Sequence, residues 1–473
     1  MREIASYLAM TGETTNLKLE TFIYKSLIKF GMKSKVKFII IMVTMLNIFS
    51  LESKAQDWPQ WRGPNREGVI EKTGLNLNWS DKNPNIKDGF TPTVNNPSQS
   101  GKKPTLTWTF RQAGSGYSSP TIVGTTLYCQ GAVDQNGFAF ALDTKTGNLK
   151  WKQELGQEIV PDRENCPRGS ITVDGDKLYL IRGIGQIHCL SAADGKVIWQ
   201  KDFVKDFNGK IMSRWGFSES PLIDGNLVIC TPGGADGTMI AFDKNTGNVV
   251  WRTKEWTDDA AHSSPIVAEV DGIRQYIQQS AKGVAGVSAK DGKLLWKVDI
   301  AGYRTAVIPT PIYNDHIVYV TSGYGAGCTG IKLAKEGDGI KTETIYANKN
   351  LINQHGGVVL MNGYVYGHSD ASGWVCQDLK TGEQAWTQRN REGVVRGCAI
   401  GIDGHLILLD ERSGAVAVVA ASPEGWKEIG IMEFPERTKI QTTDNMVWTH
   451  PSIADGKLFL RDHDLMFCYD LTK

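Results

Sequence analysis

Apolar residues recur along this chain in short alternating runs, and the same polar turn separates one run from the next. The turn starts with Asp or Ser, has Gly four residues later, and is followed by a short run that ends at Trp four residues further on. Five copies are Asp143–Trp151, Ser191–Trp199, Asp243–Trp251, Ser288–Trp296 and Asp378–Trp386. Asp and Ser side chains bond nearby backbone groups, and Gly adopts the positive φ of a tight turn. Each copy therefore predicts a β-hairpin with its Trp on the return strand.

The spacing of the copies predicts how the hairpins assemble. Trp151, Trp199, Trp251 and Trp296 follow one another at intervals of 45 to 52 residues, and Trp386 comes two intervals later. A single hairpin cannot bury its apolar face, so copies at a fixed period must stack. A period of roughly 40–50 residues with several short strands is typical of four-stranded propeller blades. The sequence predicts an all-β propeller over residues 105–473.

The number of blades comes from a second pattern, a short polar or Gly-containing motif directly before an apolar strand. Eight such motifs occur, beginning near Ser118, Gly169, Glu219, Ser263, Thr310, Gly356, Gly397 and His450. The fifth unit has no Trp between residues 343 and 348, and we interpret Trp426 as the shifted Trp of the seventh unit. Eight blades are predicted, with seven as the alternative.

The two ends of the repeat region complement each other. The last unit stops after Asp470, where the Gly and the Trp-bearing strand would follow. Residues 105–110 have the pattern of a strand, contain Trp108, and have no turn motif before them. We therefore predict that this N-terminal strand completes the last blade, which closes the ring and removes open sheet edges.

The residues before the propeller divide into three parts. The apolar run from Phe38 to Leu51 follows three Lys and precedes the small residues Ser53 and Ala55. This pattern predicts a signal peptide over 32–55 with cleavage near Ala55, a non-cleaved signal anchor being the alternative. The run is shorter than the roughly 20 residues of a membrane span. Residues 1–31 are interpreted as an upstream mis-start, and 56–104 as an irregular Trp-rich segment followed by a linker.

Charge and cysteines exclude several classes of protein. The net charge is +1, so no basic surface for nucleic acid is expected. The eight Cys form no C-x-x-C and no adjacent pair, which argues against zinc ribbons and c-type haem. We interpret the Cys in the repeats as small buried apolar residues, and the pairing of Cys166 and Cys328 is left open. No Cys stands near the cleavage site, so we expect a periplasmic or extracellular monomer without a lipid anchor.

The repeat, as in Ala141–Trp151 and Ala241–Trp251, resembles that of pyrroloquinoline quinone (PQQ)-like propellers. Quinoprotein alcohol dehydrogenases and the outer-membrane assembly lipoprotein BamB share this repeat. The segment Trp58–Arg66 is also similar to the start of secreted bacterial propellers of this type. The resemblance implies the fold, whereas activity depends on the site. Quinoprotein dehydrogenases hold PQQ against a vicinal disulfide with calcium and an Asp base, and this chain has no adjacent Cys pair and no matching Asp.

The loops that lead into the innermost strands surround one mouth of a propeller channel, and here they contain aromatic and cationic side chains. Arg pairs with carboxylates and aromatic rings stack, so we expect an anionic or aromatic ligand, from a small molecule or a protein. The Arg and His side chains have an alternative structural role in bonding loop backbone and carboxylates. No catalytic residue and no metal ligand is predicted. The candidate ligand-binding residues are Tyr117, Arg168, Arg214, Trp215, His262, Arg304, His355, Arg396, Trp448, His450 and Arg461.

Two functions follow from these residues. The first is an exported binding or scaffold protein that works through the loops at one channel mouth. The alternative is a PQQ-dependent quinoprotein oxidoreductase that also binds calcium. Carboxylates gathered beside Arg396 and Trp448 would favour the alternative. A glycan-cleaving enzyme is a third class, for which no set of catalytic residues is found.

Overall fold

The computed structural model describes residues 56–71, 73–79, 103–158, 167–441 and 445–472, and residues 57–473 form one compact unit. The predicted mis-start, signal peptide and cleavage site lie outside the described residues, as do most of the linker and Cys166.

Nearly all regular structure among the described residues is β-strand. Two strands come before the repeats, β1 (Val69–Ile70) and β2 (Thr105–Phe110). The first four repeats contain β3 (Thr121–Val123), β4 (Thr126–Val133), β5 (Asn136–Asp143), β6 (Leu149–Gln157), β7 (Thr172–Asp174), β8 (Lys177–Ile181), β9 (Gln186–Ser191), β10 (Val197–Asp202), the short helix α1 (Phe203–Phe207), β11 (Leu222–Asp224), β12 (Leu227–Cys230), β13 (Ile240–Asp243), β14 (Val249–Arg252), β15 (Ile266–Val270), β16 (Ile273–Gln279), β17 (Gly283–Ser288) and β18 (Leu294–Asp299).

The last four repeats contain β19 (Ile312–Asn314), β20 (Ile317–Ser322), β21 (Gly327–Glu336), β22 (Gly339–Asn348), β23 (Val358–Met361), β24 (Tyr364–Ser369), β25 (Gly373–Asp378), β26 (Gln384–Gln388), β27 (Gly397–Ile402), β28 (His405–Asp410), β29 (Val416–Ala420), β30 (Glu428–Met432), β31 (Ser452–Ala454), β32 (Lys457–Asp462) and β33 (Leu465–Asp470).

These strands form eight sheets, and the predicted eight-bladed propeller is confirmed. Blades 1 to 6 each contain four consecutive antiparallel strands, beginning with the innermost: β3–β6, β7–β10, β11–β14, β15–β18, β19–β22 and β23–β26. Blade 7 contains β27–β30 and has β1 as a fifth strand, parallel to β27. Blade 8 contains β31–β33 with β2 as its outermost strand, and Trp108 pairs with Cys468. Closure of the last blade by the N-terminal strand is therefore confirmed.

The repeated turn has the predicted chemistry. The Asp143 carboxylate accepts hydrogen bonds from the backbone N–H groups of Lys145 and Thr146, each at 3.0 Å. Gly147 donates its N–H to the Asp143 carbonyl at 2.8 Å and has φ of 71°. A positive φ costs Gly little, which explains why this position is Gly in the repeat.

In most blades the repeat Trp joins the blade to the next one. The Trp151 indole N–H donates to the Ala192 carbonyl at 3.1 Å, and that of Trp199 donates to the Lys244 carbonyl at 3.0 Å. In both cases the acceptor directly follows the Asp or Ser of the neighbouring blade's turn. The Trp199 ring also covers Gly247 of that turn, where a Cβ atom would lie 2.8 Å from the ring. Trp and Gly of the repeat are thus two halves of one contact between blades.

Blade 5 makes this contact with Tyr in place of the missing Trp. The hydroxyl group of Tyr346 donates to the Leu379 carbonyl at 2.7 Å, and its ring covers Gly382. The interpretation of Trp426 as the shifted Trp of blade 7 was wrong. Trp426 precedes β30 and contacts Trp386 of blade 6, with ring centres 6.0 Å apart.

The position of the repeat Trp in blade 7 is occupied by Gly430. Gly430 pairs with Val418 across β29 and β30, as Trp386 pairs with Cys376 in blade 6. The space beside it is filled by Trp79, because a Cβ atom on Gly430 would lie 2.6 Å from the Trp79 Cβ. Just before Trp79, the backbone N–H of Asn76 donates to the Leu471 carbonyl of blade 8 at 2.9 Å. The N-terminal segment therefore supplies one of the contacts between blades 7 and 8.

The contact between Trp and Gly gives a direct stability test. We expect Gly247→Ala to lower the free energy of unfolding by about 2–4 kcal/mol, because the new methyl group meets the Trp199 ring at a residue with φ of 69°. Gly225→Ala is the matched control in the same blade, with φ of 59° and no atom within 4 Å, and should cost only about 1 kcal/mol. Urea unfolding of both variants measures the difference. Equal losses would show that the ring contact contributes nothing.

The beginning of the N-terminal segment runs along the inner strands, inside the channel. Trp58 exchanges two backbone hydrogen bonds of 2.8 Å with Ile122 of β3, and the Pro59 carbonyl accepts a bond from Val173 of β7. Trp61 donates its indole N–H to the Thr310 hydroxyl at 2.8 Å, at the entry to blade 5. The inner strands are edge strands, and this segment bonds groups that they leave unpaired.

Two buried arginines attach the segment to two blades. Arg62 donates to the Val358 carbonyl of β23, and Arg66 donates to the carbonyls of Ser220 and Pro221 at 2.6 and 2.8 Å, just before β11. Burial lowers the pKa of each guanidinium to about 10, so both stay charged at neutral pH. The segment then pairs with blade 7 through β1, and the channel is filled by the protein's own chain.

The seven cysteines that the structure describes are all buried, as the repeat pattern indicates. Cys328 donates its thiol hydrogen to the Asn348 side-chain oxygen, with sulfur and oxygen 3.0 Å apart.

Candidate binding cavity at the channel mouth

A cavity of about 380 Å³ lies at the mouth of the channel that the loops before the inner strands surround. Every blade contributes a residue from the loop that leads into its inner strand, and Trp61 of the N-terminal segment also lines the cavity. Eight predicted ligand-binding residues come together here: Tyr117, Arg168, Trp215, His262, His355, Arg396, Trp448 and His450.

The other three predicted residues lie elsewhere. Arg214 and Arg304 are exposed and do not line the cavity. Arg461 is fully buried and donates to backbone carbonyls, among them those of Ser118 and Gln130 at 2.8 and 2.7 Å. Its guanidinium joins blade 8 to the start of blade 1, which is the structural alternative considered for the arginines.

Aromatic rings contact one another along one side of the cavity. The rings of His355 and Trp448 are stacked, with centres 4.2 Å apart and an angle of 12° between their planes. Tyr117 lies 5.0 Å from Trp448, and Trp61 lies 4.6 Å from His450, both in tilted arrangements. Such packing fixes the orientation of the rings, so the wall presents preformed surface for a planar or ring-shaped ligand.

The lining also contains a buried carboxylate, that of Glu411, which lies between a cation and an indole. Glu411 forms an ion pair with Arg396, whose Nε lies 3.0 Å from Glu411 Oε1, and accepts a hydrogen bond from the Trp448 Nε1 at 3.0 Å. Asp370 lies 3.4 Å from the other end of the Arg396 guanidinium. Burial raises the pKa of Glu411, and the charge of Arg396 acts in the opposite direction. Within the described ranges, no group of three or more His, Cys, Asp or Glu side chains is placed to hold a metal ion.

The cavity histidines are held neutral. His262 lies between two hydroxyl groups, with Nε2 2.7 Å from Ser213 Oγ and Nδ1 2.8 Å from Ser218 Oγ. Burial, with the charge of Arg168 as a second cause, lowers its pKa to about 3. Burial also lowers the pKa of His355 and of His450 to about 3.

His450 has a defined acceptor. Its Nε2 lies 3.1 Å from the His355 carbonyl, and a carbonyl only accepts, so Nε2 carries the proton. Nδ1 of the neutral ring is then a bare acceptor, and it has no hydrogen-bond partner among the described residues. Nδ1 of His355 is also buried and unpaired within the same part of the chain. Buried polar atoms are normally paired, so these two nitrogens are exceptions among the residues of the cavity lining.

Sequence reasoning missed several residues of the cavity. Glu411 and Arg412 belong to the turn between β28 and β29, and Tyr324 belongs to the turn between β20 and β21. In an antiparallel blade, the turn between the second and third strands lies at the same end as the loop before the first. That rule of topology could have identified all three residues. Trp61 carries no such signal, because its segment occurs once and has no period.

A protein-family model described as outer membrane protein assembly factor BamB matches residues 140–388, which is more than half of the chain. The chain belongs to this family. Over 251 residues it is 26% identical to the assembly factor BamB of Yersinia pestis. The matched region covers 49% of this chain and 58% of that protein. The chain therefore spans less than two thirds of that relative's length.

Two solved structures resemble this BamB-family propeller in fold. The structure of BamB from Moraxella catarrhalis has a TM-score of 0.53 at 16% identity and covers 77% of this chain and 97% of its own. The quinohemoprotein alcohol dehydrogenase from Comamonas testosteroni has a TM-score of 0.57 at 11% identity, with coverage of 88% and 81%. These identities are low, so both comparisons show the propeller fold alone.

In the part of the chain that the structure describes, no helix has the length and apolar character needed to cross a membrane.

Proposed function

We propose that this propeller is an exported binding or scaffold protein whose recognition site is the cavity at the channel mouth. One observation carries the proposal: loops from all eight blades converge on one cavity at the channel mouth. The channel itself is filled by the protein's own N-terminal segment. Loops can change in sequence without changing the blades, and propellers commonly present their binding residues on such loops.

Membership of the BamB family supports the location and the type of partner. The relatives are named as outer-membrane assembly factors, which favours a protein partner in the periplasm or at the cell surface. Export would follow cleavage of the signal peptide near Ala55, and we expect a monomer.

Site-specific crosslinking tests the proposal in cells that export the protein. Tyr324, 42% exposed beside the cavity, is replaced by a photoreactive phenylalanine derivative, and Val250, 53% exposed on the outer strand β14, is the control position. We expect ultraviolet light to yield a discrete adduct from position 324 and a much weaker one from position 250. An adduct from position 250 alone would move the interaction to the side of the propeller and contradict the proposal.

The alternative is a PQQ-dependent oxidoreductase, which the fold of the quinohemoprotein alcohol dehydrogenase favours. PQQ is a planar tricarboxylate, and Arg168, Arg396 and Arg412 could pair with carboxylates beside the aromatic wall. The remaining residues do not fit it. Glu411 places a carboxylate in that wall, and the described residues gather no set of ligands for calcium. PQQ with calcium therefore serves as a competing ligand in the titration below.

A further inference from the structure

The geometry points to an acidic sugar, a pyranose ring with free hydroxyl groups and one carboxylate, as the ligand of the mouth cavity. This inference rests on the proposed function and names the chemical class that the cavity recognises. It draws on three independent properties of the lining: ring surface, unpaired acceptors and unpaired positive charge.

The aromatic wall gives a surface for the apolar face of a sugar ring. Trp61, Trp215 and Trp448 are half-buried and line the cavity, and the stacking of Trp448 on His355 fixes that indole. Apolar groups Ala306, Ile308 and Met446 contribute to the same lining. The cavity volume of about 380 Å³ is at the lower end of the roughly 300–1,000 Å³ of small-ligand sites, which favours one or two sugar units over a long chain.

The acceptors of the cavity require a ligand that donates hydrogen bonds. His450 Nδ1 is a buried acceptor without a partner among the described residues, and Glu411 is a further acceptor in the same lining. Sugar hydroxyl groups can donate to both. A planar polycarboxylate presents mainly acceptor atoms, so it would leave the His450 nitrogen unpaired and bring negative charge towards Glu411.

The charges of the lining require an anion. Three arginines, Arg168, Arg396 and Arg412, line the cavity together with one carboxylate, that of Glu411, and Arg168 donates to the Trp215 carbonyl. Arg396 is already paired with Glu411 and Asp370. Arg412 is exposed at the rim, and its guanidinium makes no hydrogen bond or ion pair with residues in the described ranges. A guanidinium binds a carboxylate through two parallel hydrogen bonds, so the acidic group of the sugar is assigned to Arg412.

The test titrates the full chain, purified as the cell exports it, and follows tryptophan fluorescence and heat of binding. The probes are glucuronate and digalacturonate, their neutral counterparts glucose and digalactose, and PQQ with and without calcium. We expect each acidic sugar to bind at least tenfold more tightly than its neutral counterpart. Equal affinities, no binding of any sugar at 10 mM (roughly the weakest useful affinity), or a preference for PQQ with calcium would overturn the inference.

Two variants locate the acidic group. Arg412→Gln should weaken the binding of the acidic sugars at least tenfold and leave the weak binding of the neutral sugars unchanged. Arg304→Gln is the matched control, because Arg304 is also exposed and does not line the cavity, and it should bind all probes as the unaltered protein does. Unchanged acidic-sugar affinity in Arg412→Gln, with an unaltered melting temperature, would contradict the assignment.

The outcomes separate this inference from the proposed function. If crosslinking at position 324 captures a partner and no sugar binds, the sugar class is wrong and the binding protein stands. If neither crosslinking nor sugar binding occurs at the mouth, both are wrong.

Discussion

Replacing Trp79 with Ala is expected to lower the free energy of unfolding by about 3–5 kcal/mol, the loss typical of a fully buried Trp. Trp79 is 1% exposed and fills the space beside Gly430, the residue that blade 7 has where most other blades have Trp. Its indole N–H donates to the Asn76 carbonyl at 3.1 Å, so the side chain also holds the strand-like segment that bonds blade 8. The alanine variant would leave a cavity between blades 7 and 8. Urea unfolding followed by fluorescence measures the change.

Trp426→Ala is the matched control for this measurement. Trp426 is half-buried and contacts Trp374 and Trp386, so its removal takes away part of one aromatic cluster. Its side chain makes no hydrogen bond between blades among the described residues. We expect a loss of about 1–2 kcal/mol, the usual range for a partly buried side chain. If both variants lost the same free energy, Trp79 would not be the residue that secures blades 7 and 8.

The repeat made most of the fold predictable, because each structural role occurs several times. The strand that contains Trp108 was assigned to the last blade because five other units have a Trp-bearing strand after a turn of Asp or Ser and Gly. Blade 7 departs from this pattern. Its turn between the third and fourth strands is two residues longer. The backbone N–H of Ala420 donates to the Lys427 carbonyl, whereas in blade 1 the N–H of Asp143 donates to the Asn148 carbonyl. The longer turn places Trp426 outside the strand, and nothing in the sequence distinguishes a Trp in a long turn from one shifted along a strand.

The N-terminal segment could not be placed from the sequence for a different reason. It occurs once, it has no period, and among its described residues only two form a strand, β1. Its position depends on unpaired groups at the inner strands, such as the carbonyls that accept from Arg62 and Arg66. Those groups come from blades far apart in sequence, so their arrangement is a property of the closed ring.

The candidate site was predictable where one rule of topology sufficed. Loops before the inner strands converge on the mouth, and eight residues taken from them line the cavity. Arg461 was also expected there, but its side chain turns to the carbonyls between blades 8 and 1. Glu411 was missed because its turn connects the second and third strands of blade 7, and that class of turn was considered only in the last blade. The ligand-binding role of the whole set stays a prediction.

The stability of the protein is expected to be greatest near pH 6.5 and to fall steeply in acid. Burial lowers the pKa of six histidines, to about 3 for His262, His355 and His450 and to about 4 for His188, His368 and His463. In the unfolded chain a histidine has a pKa of about 6.5. The unfolded state therefore binds more protons below that pH, and each histidine removes about 1.4 kcal/mol of stability per pH unit as the pH falls towards its folded value.

Glu219 is a buried acid that shapes the alkaline side. Burial raises the pKa of Glu219 to about 8, although Thr231 and Arg66 act in the opposite direction. The folded state then holds a proton that the unfolded state has lost, so stability falls as the pH rises from about 4.5 to 8. Below pH 6.5 the six histidines outweigh this one group. Between pH 6.5 and 8 the histidines no longer titrate, and Glu219 contributes to the decline; Glu219→Gln should reduce it.

The pH dependence of the free energy of unfolding in single variants tests the predicted loss of stability in acid. Free energies of unfolding measured in urea at half-unit steps from pH 4.5 to 8.5 give a slope that is proportional to the difference in bound protons. His450→Gln should reduce the slope below pH 6 by about 1.4 kcal/mol per pH unit, because a Gln amide can still donate to the His355 carbonyl but takes up no proton. His316→Gln, at an exposed histidine whose side chain is 40% accessible, is the control for the substitution itself. A slope unaltered in His450→Gln would mean that the ring is protonated in the folded protein, and its Nδ1 could then no longer accept a ligand hydroxyl group.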